Sequence, residues 1–262
     1  MNRIDKKFIQ LKNQNKKAFI AFITAGYPDL STTVKLAIEL EKNGVDIIEL
    51  GVPFSDPLAD GPMIQEASGY SLSQGTNLVK ILDLVKRLRK TTRLPICLMT
   101  YYNPVFCFGE KSFVDKAVAA GVDGVIIPDL PCEEAKEFRH YANQKGLVNI
   151  CFISPTSSAA RIKAILKVAR GFIYYVSLTG VTGTRKSLDA DLRIKLSAIK
   201  KLTTKPVCVG FGISCACQVK AVRKFSDGVI VGSAIVTKIK ENMGRCNLVQ
   251  RVGSFVGRLA EI

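Results

Sequence analysis

Along the chain, β-branched and aromatic apolar residues gather into short runs bounded by glycine, proline or aspartate. The first half holds "AFIAFIT" (18–24), "DIIELGV" (46–52), "PICLMTYY" (95–102) and "DGVIIPD" (123–129). The second half holds "VNICFIS" (148–154), "FIYYVSL" (172–178), "PVCVGFG" (206–212) and "DGVIVGS" (227–233). Strands that are apolar on both faces belong to a covered parallel sheet. Between them lie helical patterns, among them "STTVKLAIELEKNG", "KSFVDKAVAAG", "CEEAKEFRHYANQKG" and "ARIKAILKVARG", each closing near a glycine suited to a helix C-terminus.

Eight strand-and-helix units predict a closed (β/α)8 TIM barrel, one domain over residues 1–262. An open, doubly wound sheet is the competing architecture, and the absence of a G-x-G-x-x-G nucleotide fingerprint counts against it. The longest interval, between strands two and three, holds "MIQEASGYSLSQG" and "NLVKILDLVKRLRKT" and predicts an extra helix there. The polar stretch before "AFIAFIT" predicts a further N-terminal helix that caps the barrel's bottom.

Composition narrows the class. At 262 residues and 47% hydrophobic, the chain has ample core for one such barrel, which commonly takes about 250 residues. No run approaches the roughly 20 apolar residues of a membrane span, and "MNRIDKKFIQLKNQNKK" lacks a signal-peptide apolar core. The expectation is a soluble, cytoplasmic protein. The eight cysteines are scattered through apolar segments without a C-x-x-C pair and read as reduced core fillers. His140, the single histidine, sits on a predicted solvent-facing helix, which removes Ser-His and Cys-His catalysis and multi-imidazole metal sites. No metal site is expected. The net charge of +16 raises the question of nucleic acid, but the lysines are spread over helix faces with no aromatic-interleaved block. Solvated basic faces that also attract an anionic substrate account for them.

The polar residue that needs a reason is Glu49, in the middle of "DIIELGV". Alternation puts Ile47, Glu49 and Gly51 on one face, and with the bulkier set toward the helices Glu49 points into the barrel near its mouth. A desolvated carboxyl there is suited to acid–base work, its pKa raised. A buried ion pair is the plainer reading, yet no predicted strand carries a lysine or arginine, which also counts against a Schiff-base aldolase. Asp60 follows in a loop of prolines and glycine, either as a second carboxylate holding a developing cation or as a turn or N-cap residue. Asp56 reads as a turn residue or a surface contact. Glycine-rich segments after strands six, seven and eight ("TGVTGTR", "GFGIS", "GSA") suit a phosphate ester, because barrels often seat a phosphate there.

"ELGVPFSDPLADGP" closely resembles the signature of the tryptophan synthase alpha subunit family, and "FITAGYPD", "MTYYNP", "PDLPCEE", "YYVSLTGVTGTR", "GFGIS" and "GSAIV" match in family order across nearly the whole chain. The resemblance implies this same barrel and retro-aldol cleavage of indole-3-glycerol phosphate to indole and glyceraldehyde 3-phosphate, a lyase reaction of tryptophan biosynthesis. Indole would pass to a beta subunit in an alpha2-beta2 assembly, with pyridoxal phosphate in the beta subunit and no cofactor in this chain. On the matched positions, Glu49 is the general acid–base residue, Asp60 the carboxylate on the indole N–H, and Tyr174 a tyrosine lining the site. Phe22, Tyr101 and Phe211 resemble the indole-pocket wall, and Gly183, Gly212, Gly232 and Ser233 the phosphate-binding set. Asp56 and the "GVTGTR" loop resemble elements that couple closure to the beta subunit.

The chain departs from the family pattern at three places. Leu178 stands where an arginine is often found, Met63 where threonine usually follows "ADGP", and "ISPTSS" replaces a common "APTT". These departures leave room for a subunit that cleaves poorly and mainly activates its partner. A third alternative, another phosphate-handling barrel such as an isomerase, is disfavoured by the signature after strand two.

Overall fold

The computed structural model describes residues 1–176, 185–210 and 212–261, with the backbone alone over 185–191. Eight parallel strands close in chain order: β1 (Ala18–Thr24), β2 (Ile47–Gly51), β3 (Ile96–Met99), β4 (Gly124–Ile126), β5 (Val148–Ile153), β6 (Ile173–Val176), β7 (Val207–Gly210) and β8 (Gly228–Val231). The barrel closes where Ala18 and Ile20 pair with Gly228 and Ile230. The helices are α1 (Arg3–Asn13), α2 (Leu30–Lys42), α3 (Pro62–Ser73), α4 (Leu78–Leu88), α5 (Tyr102–Phe108), α6 (Glu110–Ala120), α7 (Lys136–Lys145), α8 (Ala159–Val168), α9 (Arg185–Leu202), α10 (Ala216–Arg223), α11 (Ser233–Lys240) and α12 (Leu248–Ala260). Both helices expected between strands two and three are present, as α3 and α4.

Strand alternation splits the apolar residues into two cores. Phe19, Ile23, Ile48, Leu50, Ile96 and Leu98 pack outward beneath the helices. Ile20, Ile47, Ile150, Phe172 and Ile230 fill the barrel interior, where Ile4, Phe8 and Leu11 of α1 join them from below. The ring of Phe8 lies 5.7 Å from that of Phe172. The N-terminal helix therefore caps the bottom as expected. Polar contacts fix its entry: Arg3 Nη1 meets Asp123 Oδ1 at 2.9 Å, and the Asn2 side chain donates to the Asp123 carbonyl at 2.9 Å. Asp123 is buried and also holds Arg89 at 2.6 Å, so a paired carboxylate rather than a lone one sits at the barrel's floor.

Two helices stop as their sequence predicts, with Gly121 after α6 and Gly146 after α7 at φ +95° and +77°, the left-handed region where glycine carries no Cβ penalty. α8 ends differently, on Ala169 in an extended conformation.

Two expectations are corrected. The run "PICLMTYY" is extended only to Met99, and Tyr102 opens α5, its N–H bonded to Asp129 Oδ1 at 2.9 Å and Pro104 lying in the first turn where its missing N–H costs nothing. The cysteines are not all reduced fillers: Cys97, Cys151 and Cys208 are buried, Cys107 and Cys246 are exposed, and Cys215 and Cys217 form a disulfide beside α10. His140 is exposed, as its helix pattern implies. No helix among the described residues is long and apolar enough to cross a membrane.

Candidate active site

The candidate site lies at the C-terminal ends of the strands, the end at which such barrels carry their chemistry. Glu49 is on β2, 0% exposed, and faces inward between Phe22 of β1 and Cys97 of β3, its register partners. Neither of its oxygens has a hydrogen-bond partner among the described residues. Burial alone pushes its pKa up to about 8, so at neutral pH the group is mostly a neutral acid. The strands carry no lysine or arginine. Among the described residues, Glu49 thus has no buried ion pair that would make it structural.

One further buried oxygen lacks a partner among the described residues, Thr24 Oγ1, on the next inward position of β1. Thr24 pairs with Gly51 as Phe22 pairs with Glu49. Unpaired buried oxygens are costly, and two such residues on adjacent strands at one rim point to groups a ligand would satisfy.

Asp60 comes from the loop after β2, one residue before the Gly61 N-cap of α3. No side chain caps α3, so the N-cap reading of Asp60 fails. Its carboxylate instead accepts a hydrogen bond from Tyr101 Oη at 3.2 Å. Burial lifts the Asp60 pKa to about 6, and the Tyr101 bond works against that rise. The two carboxyls of the mouth therefore differ in state at pH 7, Glu49 mostly protonated and Asp60 mostly ionised.

Tyr174 faces inward and is buried, its phenol held well above its ordinary pKa by burial first and then by Glu49 and Asp60. Its ring tilts against Phe152 at 4.8 Å and lies over Gly210, where any Cβ would collide with it. Tyr175, the next residue, points outward into the helix-facing core. Phe22 occupies a slot that two glycines make possible: a Cβ at Gly51 would stand 2.5 Å from Phe22 Cζ, and one at Gly232 3.3 Å from Phe22 Cβ. Gly232 is the N-cap of α11 and Ser233 its first residue, so the N-terminus of that helix, a kind of end suited to an anion, begins beside Phe22. Gly212, at φ +70°, turns the chain after β7.

The structure thus gathers Glu49, Asp60, Tyr174, Phe22 and Tyr101 around one mouth, with Gly232 against Phe22. It leaves Asp56 apart, exposed on the loop's outer side. Gly183 and Phe211, and Leu178 with the "GVTGTR" loop up to residue 184, lie outside the described residues. Sequence reading passed over Thr24, Phe54, Phe152 and Gly210. The signal available for Gly210 was a glycine ending an otherwise bulky strand in line with an inward aromatic. No group of three or more candidate metal ligands occurs among the described residues.

An eight-stranded parallel barrel with two carboxyls at its C-terminal mouth, one of them without a partner among the described residues, has the architecture of an enzyme of the (β/α)8 class. A family model described as tryptophan synthase alpha chain matches residues 8–261. The chain is 52% identical over 259 residues to the tryptophan synthase alpha chain of Geotalea uraniireducens, covering 99% of this chain and 97% of that one. It is 49% identical over 261 residues to that of Geobacter sulfurreducens, covering 100% and 98%. The crystal structure of tryptophan synthase subunit alpha from Legionella pneumophila superposes with a TM-score of 0.93 at 38% identity, covering 100% of this chain and 98% of that one. The chain belongs to the tryptophan synthase alpha chain family, lyases that cleave indole-3-glycerol phosphate. The family name implies a beta subunit as partner.

Proposed function

We propose that Glu49 and Asp60 divide the retro-aldol cleavage of indole-3-glycerol phosphate between them. Glu49, protonated at neutral pH, gives its proton to indole C3, and the positive charge that appears on the ring N–H is held by the Asp60 carboxylate. Glu49, now the anion, removes the proton of the hydroxyl on the adjoining glycerol carbon. The bond from that carbon to C3 breaks, its electrons return to the ring, and glyceraldehyde 3-phosphate and indole leave with Glu49 reprotonated. Because Glu49 is enclosed, its side chain turns toward the mouth to meet the substrate.

The single observation that carries this reading is the contrast between two carboxyls at one mouth, Glu49 enclosed without a hydrogen-bond partner among the described residues and Asp60 less buried and held by Tyr101, so that burial raises the first to about 8 and the second only to about 6. The rest of the assignment is supported by position. Phe22 and Tyr101 form the wall for the indole ring, while Phe211 and Gly183, outside the described residues, are assigned to wall and phosphate site by the family resemblance alone. Gly212, Gly232 and Ser233 offer backbone amides to the phosphate, and Tyr174 lines the site. The reaction needs no cofactor in this chain, and indole passes to the beta subunit, which holds pyridoxal phosphate in an alpha2-beta2 assembly in the cytoplasm. Asp56 couples the two; exposed apolar side chains, Leu58 (93%) in the same loop and Phe106 (65%) on α5, are suited to a protein partner. The whole chain, 1–262, acts as one barrel domain.

Glu49→Gln tests the division. An amide cannot exchange the proton, so cleavage falls by about 10²- to 10⁴-fold while binding to the beta subunit is kept. Retention of most of the rate contradicts the role.

A further inference from the structure

The loop that carries Asp60 has little core of its own: Asp56, Leu58 and Ala59 are exposed, and Leu58 is almost fully so. It is fastened from β3's end by one side chain. Tyr101 Oη accepts the Ala59 N–H at 2.8 Å and donates to Asp60 Oδ2 at 3.2 Å. The Tyr101 ring stacks on Phe54 near the loop's other end, centroids 5.2 Å apart and planes 30° apart. Among the described residues no other side chain bonds the Asp60 carboxylate: Gln65 Nε2 donates to backbone carbonyls of the loop, Asp60 at 2.9 Å and Pro57 at 3.5 Å, and not to the carboxylate.

A pocket wall needs the ring of Tyr101 and not its hydroxyl. We propose that Tyr101 is the positioning residue for Asp60, its hydroxyl clamping the Ala59–Asp60 peptide and aiming the carboxylate at the reacting ring. Tyr101 is only 6% exposed and its oxygen is shared between an N–H and a carboxylate, so the aim is set by two part-buried bonds from a buried side chain. A carboxylate held by one donor at 3.2 Å keeps its other oxygen available to the substrate N–H. The inference rests on the role assigned to Asp60 above.

The test is Tyr101→Phe, alone and combined with Asp60→Asn, on the full chain with its beta subunit. Phenylalanine keeps the stack on Phe54 and removes the clamp. We expect kcat/KM to fall about ten- to a hundredfold, the loss typical of a slightly misplaced group. The acid limb of the kcat/KM profile moves upward, because a hydrogen bond favouring the Asp60 anion is gone, and Tyr101→Phe adds nothing in the Asp60→Asn background. An unchanged rate overturns the proposal. So does a lower rate with the acid limb in place, which marks a merely structural role, and so does a full second loss on top of Asp60→Asn. Wild-type cleavage by Asp60→Asn itself would instead sink the role of Asp60, a different failure from a slow Asp60→Asn beside an unaffected Tyr101→Phe.

Discussion

Phe22 on β1 stands in register with Glu49 on β2, both facing into the barrel, so one strand pair sets the aromatic wall beside the proposed acid. The adjacency follows from parallel pairing and needs no loop to create it. It also makes Glu49 expensive: a carboxyl with no cation and no donor among the described residues is kept in the fold by remaining protonated.

That expense is measurable as stability. The folded-state pKa of Glu49 is raised from 4.5 to about 8, so the native state holds a proton that the unfolded state releases across this window. The stabilising contribution is fully present below about pH 4.5 and is lost as pH rises through about 8. Glu49→Gln has no such titration. Denaturant unfolding should show the variant gaining on the wild type from pH 5 to 8, by on the order of a few kcal/mol, and levelling off above. A constant difference across that range would mean that Glu49 is ionised in the native barrel.

The same two groups set the rate profile. kcat/KM needs Asp60 ionised and Glu49 protonated, so it should trace a bell with limbs near 6 and near 8. Activity is lost below the first limb as Asp60 takes a proton and above the second as Glu49 loses one. Asp60→Asn should lower the rate and flatten the acid limb. A profile with its acid limb intact in that variant would assign the limb to another group.

Gly51→Ala probes the wall. The new Cβ would stand 2.5 Å from Phe22 Cζ, so the ring must leave its slot beside Gly232. We expect about 1–3 kcal/mol of lost stability from overpacking, together with a raised KM for indole-3-glycerol phosphate. Thermal unfolding and steady-state kinetics on one preparation check both. A neutral variant would show that Phe22 is free to move without harm.

Much of this was legible in the sequence because strands apolar on both faces leave few alternatives to a covered parallel barrel, and a glutamate inside one is conspicuous. β1 matches its sequence run residue for residue, and Glu49 faces where alternation puts it. The "TYY" end of the third run was misread because tyrosine and threonine favour strands, whereas the Asp129 bond to the Tyr102 N–H that opens α5 comes from a distant part of the chain. The Tyr101 clamp on Asp60 joins residues 41 apart, and no local pattern encodes it. Thr24 went unnoticed for a related reason: an orphaned hydroxyl is a property of packed neighbours, and "AFIAFIT" reads the same with or without a partner for it.

Release of indole from indole-3-glycerol phosphate, followed with this chain alone and then with its beta subunit, tests the central claim most directly. The account predicts slow turnover alone and a strong rise with the partner. No turnover in either case, with the beta reaction on free indole still accelerated, would contradict it and leave an activating subunit whose carboxylates no longer cleave.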